Sequence, residues 1–350
     1  MTTAIVTGAP GWLGTRLVKS LVEGVVDVPS LPAEGRRVRC LVLPDADAKE
    51  LEAFGQQVEI VRGDVTDPAS IAKLFEGDGI EGSTVFHSAG VIHPTRGVKQ
   101  LHEVNVDGTT NVVEAAKKAK ARRLVHVSSN SPIGTNPAPD HVFDESAPYA
   151  PYMQYGRTKM LAEEVVKRAH ATGEIETVII RPPWFYGPGQ PPRQTLFFEM
   201  IRDGKAPIVG DGKNRRSMAY VDNICQGLLL CEKVDRAAGE IYWIADRRPY
   251  EMNDIIDTIE KVLEKDFDVK CAHARMKLPG FASEVAWLVD ITMQGAGLYH
   301  QKIHVLSEMN KTIACTIAKA EEELGYDPKV DLEEGMRRSI QWMKDRGETL

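Results

Sequence analysis

The sequence predicts an α/β protein: a doubly wound parallel sheet with a smaller, mostly helical substrate domain. Three observations carry this. Short β-branched runs alternate with amphipathic stretches through the first half of the chain, which is the pattern of strands buried on both faces between helices. The first run ends in TGAPGWLG at 7–14, a glycine turn that opens a helical pattern. After Arg181 the texture changes to RPPWFYGPGQPPRQ, dense in Pro and Gly, and then to mostly helical sequence.

The strand candidates in order are TAIVT 3–7, VRCLVL 38–43, VEIVR 58–62, TVFHS 84–88, RLVHVSS 123–129 and TVIIR 177–181, with EIYWIA 240–245 contributed late. Amphipathic stretches at 97–120 and 155–172 read as the long helices between them. EGVVDVPSLPAEGRR 23–37 exceeds a normal helix-to-strand connection and reads as a surface insertion. The expected division is a nucleotide-binding domain of residues 1–181 plus 217–248, and a substrate-binding domain of 182–216 plus 249–350. No internal repeat or low-complexity tract interrupts this.

Composition narrows the function. The chain has 350 residues, 43% hydrophobic and 27% charged, enough for a large buried core. A net charge of −7 argues against a nucleic-acid partner, because phosphate binding needs a basic face. The five cysteines, Cys40, Cys225, Cys231, Cys271 and Cys315, are scattered, with no metal-ligand spacing. Buried reduced thiols in a cytoplasmic protein, and no metal site, are expected. MTTAIVTG runs straight into a strand with no basic region before an apolar one, so no signal peptide is expected. No apolar run reaches the ~18 residues of a membrane span.

The glycine turn has the order a dinucleotide site needs: strand, tight turn, helix N-terminus. The helix end offers free N–H groups and a positive dipole to a pyrophosphate, and glycine lets the backbone approach closely. The spacing of Gly8, Gly11 and Gly14 differs from the commoner Gly-x-Gly-x-x-Gly, but its placement is that of a cofactor turn. Gly8, Pro10, Gly11, Trp12, Leu13 and Gly14 are therefore candidate cofactor contacts. GDVTD 63–67 follows the third strand. Asp64 there suits an adenine amino group and Val65 the ring, while Asp67 before Pro68 reads as a helix N-cap. In HSAG 87–90, Ala89 and Gly90 are small enough to pass close to a cofactor.

YGRTK 155–159 places Tyr155 and Lys159 four apart, on one helix face. A tyrosine titrates near ~10, too high for a base at neutral pH, and a neighbouring ammonium lowers it. Such a pair suits proton exchange with a substrate oxygen while hydride moves to or from a nicotinamide. VSSNSP 127–132 offers Ser128, Ser129 and Ser131 as the hydroxyl that holds the substrate oxygen.

Together, TGAPGWLG, GDVTD, NVDGTTN 105–111, VSS, YGRTK, RPPWFYGPG, YVDN 220–223 and ELGYDP 323–328 resemble the extended short-chain dehydrogenase/reductase family over nearly the whole chain. That group includes 3β-hydroxysteroid dehydrogenase-like enzymes and NAD-dependent nucleotide-sugar epimerases and dehydratases. The resemblance implies a Rossmann cofactor domain, Tyr155 as acid/base, Lys159 at the nicotinamide ribose, Ser129 as the substrate-orienting hydroxyl, Asn105 as the family asparagine and Pro182 at the cofactor. It also implies a homodimer joined through 97–120 and 155–172. Many nucleotide-sugar enzymes carry Asn before Tyr-Gly-Pro; here the slot is Trp184, which suits an apolar substrate. Arg216 sits where sugar enzymes bind a diphosphate, but the acidic residue usual after it is Ser217. Ser131, His93, Trp184 and Arg216, with Ser129, are the substrate-side candidates.

The cofactor-selecting slots after the second strand read Val42, Leu43, Pro44 and Asp45. Asp45 would repel an extra phosphate, so NAD is preferred over NADP; Arg37, Arg39 or Lys49 folding back would reverse this. The apolar stretch 278–300 reads as a cap on the substrate pocket, with bilayer contact the other possibility; it lacks an interfacial anchor's basic face. The expected function is hydride transfer at a secondary alcohol or ketone of a largely apolar, 3β-hydroxysteroid-like substrate; the alternative is a nucleotide-sugar epimerase or dehydratase with tightly bound NAD. The intact Ser–Tyr–Lys set argues against a cofactor-sensing regulator without chemistry.

Overall fold

The computed structural model describes residues 3–348. Seven strands form one sheet: β1 Ala4–Thr7, β2 Val38–Val42, β3 Val58–Arg62, β4 Thr84–His87, β5 Arg123–Val127, β6 Glu176–Arg181 and β7 Ile241–Trp243. The spatial order is β7-β6-β5-β4-β1-β2-β3, and every neighbouring pair is parallel. β1, β4 and β5 are buried along their whole length, which explains their unbroken apolar character. The strand order reverses between β1 and β4, so a crevice opens beyond their carboxyl ends, where doubly wound sheets bind ligands.

Helices cover both faces. On one, α1 (Trp12–Glu23) brings Leu17, Val18 and Leu21 into a common core with Ile224, Cys225 and Leu228, far along the chain. On the other, α2 (Gly108–Lys118) and α3 (Met153–Ala171) bring Val112, Val113, Ala116 and Val166 against Ile5, Val85 and Leu124. The later helix α4 (Val221–Lys233) follows the YVDN segment; its Asp222 receives the Arg16 guanidinium of α1, with Nη2 at 2.6 Å. Asp67 caps the helix after β3, accepting from the backbone of Ala69 and Ser70.

Two stretches differ from the sequence expectation. The predicted helix over 97–120 is one unbroken helical run from Lys99 to Lys118, but it carries a π turn, Glu103–Asp107, before α2. Periodicity misses the extra residue because apolar positions still return on nearly the same face. The segment 23–37 is not a plain surface insertion. Val25, Val28 and Leu31 are buried in the core, and Arg36 forms a buried two-pronged pair with Glu232, at 2.6 and 2.7 Å.

The second unit has its own core. Strand Trp184–Tyr186 pairs in parallel with Met218–Tyr220. Against them pack Phe198 and Ile201, the apolar face of α5 (Met252–Phe267) with Ile255, Ile256 and Ile259, and Met336 and Ile340 of a C-terminal helix. Between lie α6 (Phe281–Gly295) and α7 (Gln301–Glu308), and the C-terminal helix α8 spans Leu332–Asp345. The short helix 318–324 ends at Gly325, in the left-handed conformation. Asp246 ties the units together by accepting from the Tyr186 hydroxyl at 2.7 Å, the Tyr220 N–H at 3.1 Å and the Asn223 amide at 3.2 Å. Burial pushes its carboxyl up to about 7. All five cysteines are buried free thiols. Among the described residues no cluster of ligand side chains could hold a metal ion, and no helix is long and apolar enough to cross a membrane.

Candidate active site

The glycine turn is shaped by close backbone contacts. Gly8 has φ +95°, and a Cβ there would lie 2.6 Å from the backbone N of Ala89, in the loop after β4. A Cβ at Gly14 would lie 2.4 Å from the Gly8 carbonyl oxygen, so the first turn of α1 folds directly onto the loop. Gly11 caps α1 with no side chain to satisfy the first N–H groups. The backbone donors of Trp12, Leu13 and Gly14 thus stand at a positive helix end at the β1/β4 crevice. A helix end of this kind suits an anionic group such as a pyrophosphate. Pro10 sits half-buried in the turn. The Trp12 side chain points elsewhere: its Nε1 donates to the Pro188 carbonyl at 2.7 Å, and its ring meets Phe185 edge-on.

The other predicted cofactor residues gather on the same rim. Asp64 closes a turn by accepting from the N–H and hydroxyl of Thr66. Val65 is buried against Gly108, where a Cβ would come within 2.8 Å of it, and Asn111 donates to its carbonyl. Ala89 and Gly90 lie beside the glycine turn; a Cβ on Gly90 would meet the Asn105 side-chain oxygen at 3.2 Å. Pro182 is buried just beyond β6. Asn105 sits inside the π turn. Its amide clasps the backbone of Val91 in both directions, at 2.8 and 2.9 Å, and donates to Thr158 of α3 at 3.2 Å. It therefore fixes the loop after β4 against the helix of Tyr155.

Geometry separates the three serines. Ser128 donates to Glu163 at 2.5 Å; this carboxylate also holds the Arg181 guanidinium and the Tyr149 hydroxyl. Its hydroxyl is committed to the scaffold. The Ser129 hydroxyl lies beside the Tyr155 side chain and favours its anion, while burial acts the other way and pushes the phenol up to about 12. The Ser131 hydroxyl is 3.3 Å from that of Ser129. Lys159, one turn on from Tyr155, donates to the Val127 carbonyl at 2.7 Å and contacts His126 at 3.3 Å. Burial brings its ammonium down to about 8. His126 lies tilted against His87 of β4, with ring centroids 5.2 Å apart; both imidazoles are buried, and burial pushes them toward neutrality. A neutral His126 accepts from Lys159 and adds no repelling charge.

On the substrate side, His93 receives or donates a 2.6 Å hydrogen bond with the Tyr299 hydroxyl. Arg216 donates to the Glu308 carbonyl at 2.5 Å. Trp184 packs against Phe197. The sequence did not single out Tyr152, Tyr299 or His304, which cluster with His93 and Asp290. Their signal was faint: Asp290 is one of two acidic residues, with Glu284, in a largely apolar helix.

At the adenosine end, Leu43 is exposed, and Asp47 closes a turn by accepting from the Lys49 N–H at 3.0 Å. Arg39 reaches Glu59 at 3.1 Å and the Glu76 carbonyl, and Lys49 pairs with Asp47 at 3.6 Å. The cation beside the loop is Arg62, donating to the carbonyls of Leu43 and Ala46 at 3.1 and 2.7 Å.

A sheet with its glycine turn at the strand-order reversal, and a Ser–Tyr–Lys group beside it, defines a nicotinamide-dependent oxidoreductase fold. The family model described as NAD dependent epimerase/dehydratase family matches residues 4–245, and the chain belongs to this family. It is an enzyme of the extended short-chain dehydrogenase/reductase group. It is 49% identical over 346 residues to the uncharacterized protein y4nL of Sinorhizobium fredii, covering 99% of this chain and 96% of that one. It is 28% identical over 300 residues to 3β-hydroxysteroid-dehydrogenase/decarboxylase isoform 1 of Arabidopsis thaliana, covering 81% of this chain and 66% of that one. Among solved structures, it matches DesIV, a dTDP-glucose 4,6-dehydratase from Streptomyces venezuelae with NAD bound, at TM-score 0.76 and 26% identity, covering 99% and 98% of the two chains.

Proposed function

We propose that the protein transfers hydride between NAD and a secondary alcohol or ketone on a largely apolar, 3β-hydroxysteroid-like substrate, with Tyr155 as the acid/base. The observation that carries this is the Tyr155 phenol, held protonated by burial beside the Ser129 hydroxyl and one helical turn from Lys159. The bound nicotinamide would accept or supply the hydride at the substrate carbon. Gly8 to Gly14 would hold its pyrophosphate, and Asp64 and Val65 would meet the adenine. Ser129, with Ser131 behind it, orients the substrate oxygen. Tyr155 donates its proton to that oxygen in reduction and takes it back in oxidation. Lys159, one helical turn on with its ammonium held on the Val127 carbonyl, would contact the nicotinamide ribose.

Trp184, in the slot where many sugar enzymes carry Asn, and the similarity to a hydroxysteroid dehydrogenase support an apolar substrate. The nucleotide-sugar alternative is not favoured. Arg216, which it needs at a diphosphate, instead donates to the Glu308 backbone. NAD fits the adenosine loop better than NADP, because Arg62 would have to release the carbonyls it binds before meeting a 2′-phosphate. The test is the cofactor content of protein purified without added nucleotide and then denatured. A dehydrogenase that exchanges cofactor each turnover comes out largely empty and reduces added NAD in the presence of hydrophobic alcohols. Near-stoichiometric retained dinucleotide, without such activity, would overturn the reading in favour of an epimerase or dehydratase.

A further inference from the structure

Helix α6 is built inside out. Ser283, Asp290 and Gln294 are buried, while Phe281, Val285, Leu288, Val289 and Ile291 are exposed. Burying polar groups is unfavourable unless each finds a partner, and here each does. Ser283 donates to the Leu306 carbonyl at 2.7 Å. Gln294 accepts from the backbone N–H of Gln154 at 3.1 Å and donates to Asp290 at 2.8 Å. The other Asp290 oxygen meets Nδ1 of His304 at 2.7 Å. A second tie runs from the Tyr152 hydroxyl to Ser307 at 2.7 Å, and from Ser307 to the His304 carbonyl, also 2.7 Å. Tyr152 and Gln154 flank the start of α3. His304 is thus fixed, from two directions, to the turn that carries Tyr155.

The imidazole lies between the rings of Tyr152 and Tyr299, with centroids 6.0 and 5.6 Å away. Tyr299 leads on to His93 in the loop after β4. Asp290 occupies Nδ1 and favours the charged ring. Among the described residues, no group bonds Nε2, although the residue is only 6% exposed. Near His304 and its ring neighbours, Arg193 and Arg216 have no carboxylate within ion-pair distance among the described residues, and Asp290 and Glu308 are the anions that act on His304. A charged donor held this firmly, with no protein acceptor on Nε2 and two nearby guanidiniums that lack a carboxylate partner among the described residues, is arranged for an anion.

We propose that His304, held by Asp290, binds a carboxylate on the substrate through Nε2, so that the substrate is an apolar hydroxy acid or oxo acid. The inference rests on the function proposed above for the oxygen at Tyr155, and names the second polar group of that substrate. A charge-assisted hydrogen bond contributes about 1.5–3 kcal/mol, or roughly tenfold or more in affinity.

The experiment uses calorimetry on the whole protein with NADH, comparing β-hydroxydecanoate with the secondary alcohol of the same chain that lacks the carboxylate. NADH makes the complex non-reactive. The expected result is at least about tenfold tighter binding of the acid. His304→Asn, whose amide still reaches Asp290 but which lacks the outer nitrogen, removes that preference. His304→Gln, whose amide extends to the Nε2 position, retains part of it and reports on the site should the Asn variant fail to fold. Equal binding of acid and alcohol by the wild type, or an unchanged preference in His304→Asn, overturns the inference. Turnover with NAD is read separately. Discrimination in binding without oxidation of either compound counts against the proposed function and supports the His304 site. Oxidation of both without discrimination does the reverse.

Discussion

At the scale of single residues, the chemistry is set by environment. Tyr155 is an ordinary tyrosine whose phenol burial keeps protonated, pushed up to about 12, so the free protein presents a proton donor. Tyr155→Phe removes it, and kcat should fall by about 10²–10⁴ while NADH binding, read by fluorescence titration, is retained. Unchanged turnover would remove Tyr155 from the mechanism. Ser129→Ala should lower kcat, whereas Ser128→Ala should act on stability, since its hydroxyl serves Glu163. The Glu163–Arg181 pair is almost wholly buried. Glu163→Ala leaves a guanidinium uncompensated and should cost about 3–5 kcal/mol in a denaturant titration. Loss under 1 kcal/mol, on the surface-pair scale, would contradict that account.

At the scale of elements, the glycine turn was readable because glycine spacing between a strand and a helix has few other uses. Its tightness was not: only the structure shows Gly14 pressed on the Gly8 carbonyl. Gly14→Ala should therefore lower both the unfolding temperature and dinucleotide affinity, measured by thermal melts with and without NAD. A variant with wild-type affinity would deny the close packing its role. The π turn around Asn105 was hidden for the opposite reason: one extra residue barely disturbs an apolar pattern, so 97–120 read as a plain helix. The motif NVDGTTN still marked Asn105 itself. Helix α6 was read as a pocket cap from its hydrophobicity, but that hydrophobicity faces outward. What faces inward is Ser283, Ala286, Asp290 and Gln294, a mostly polar face that an apolar-periodicity argument does not select.

At the scale of the molecule, the parallel sheet followed from seven β-branched runs, and all seven appear where the sequence placed them. The substrate unit was less legible, because its polar cluster is assembled from residues as distant as His93, Tyr152 and His304. Asp246 links the two units, and its pH behaviour is a global readout. Its carboxyl is raised in the folded protein from 3.8 to about 7, so between these values the folded state holds a proton the unfolded chain has released. Stability from this group is full below the lower value and is lost as pH rises through about 7. Asp246→Asn should flatten that part of the stability–pH curve; an unaltered slope would contradict the assignment. The whole account turns on one measurement: reduction of NAD by wild type and Tyr155→Phe across a panel of hydrophobic secondary alcohols, hydroxysterols and hydroxy acids, with nucleotide sugars alongside. The account predicts NADH formation with apolar alcohols that disappears in Tyr155→Phe. Conversion of nucleotide sugars alone, or equal rates for the two proteins, would contradict it.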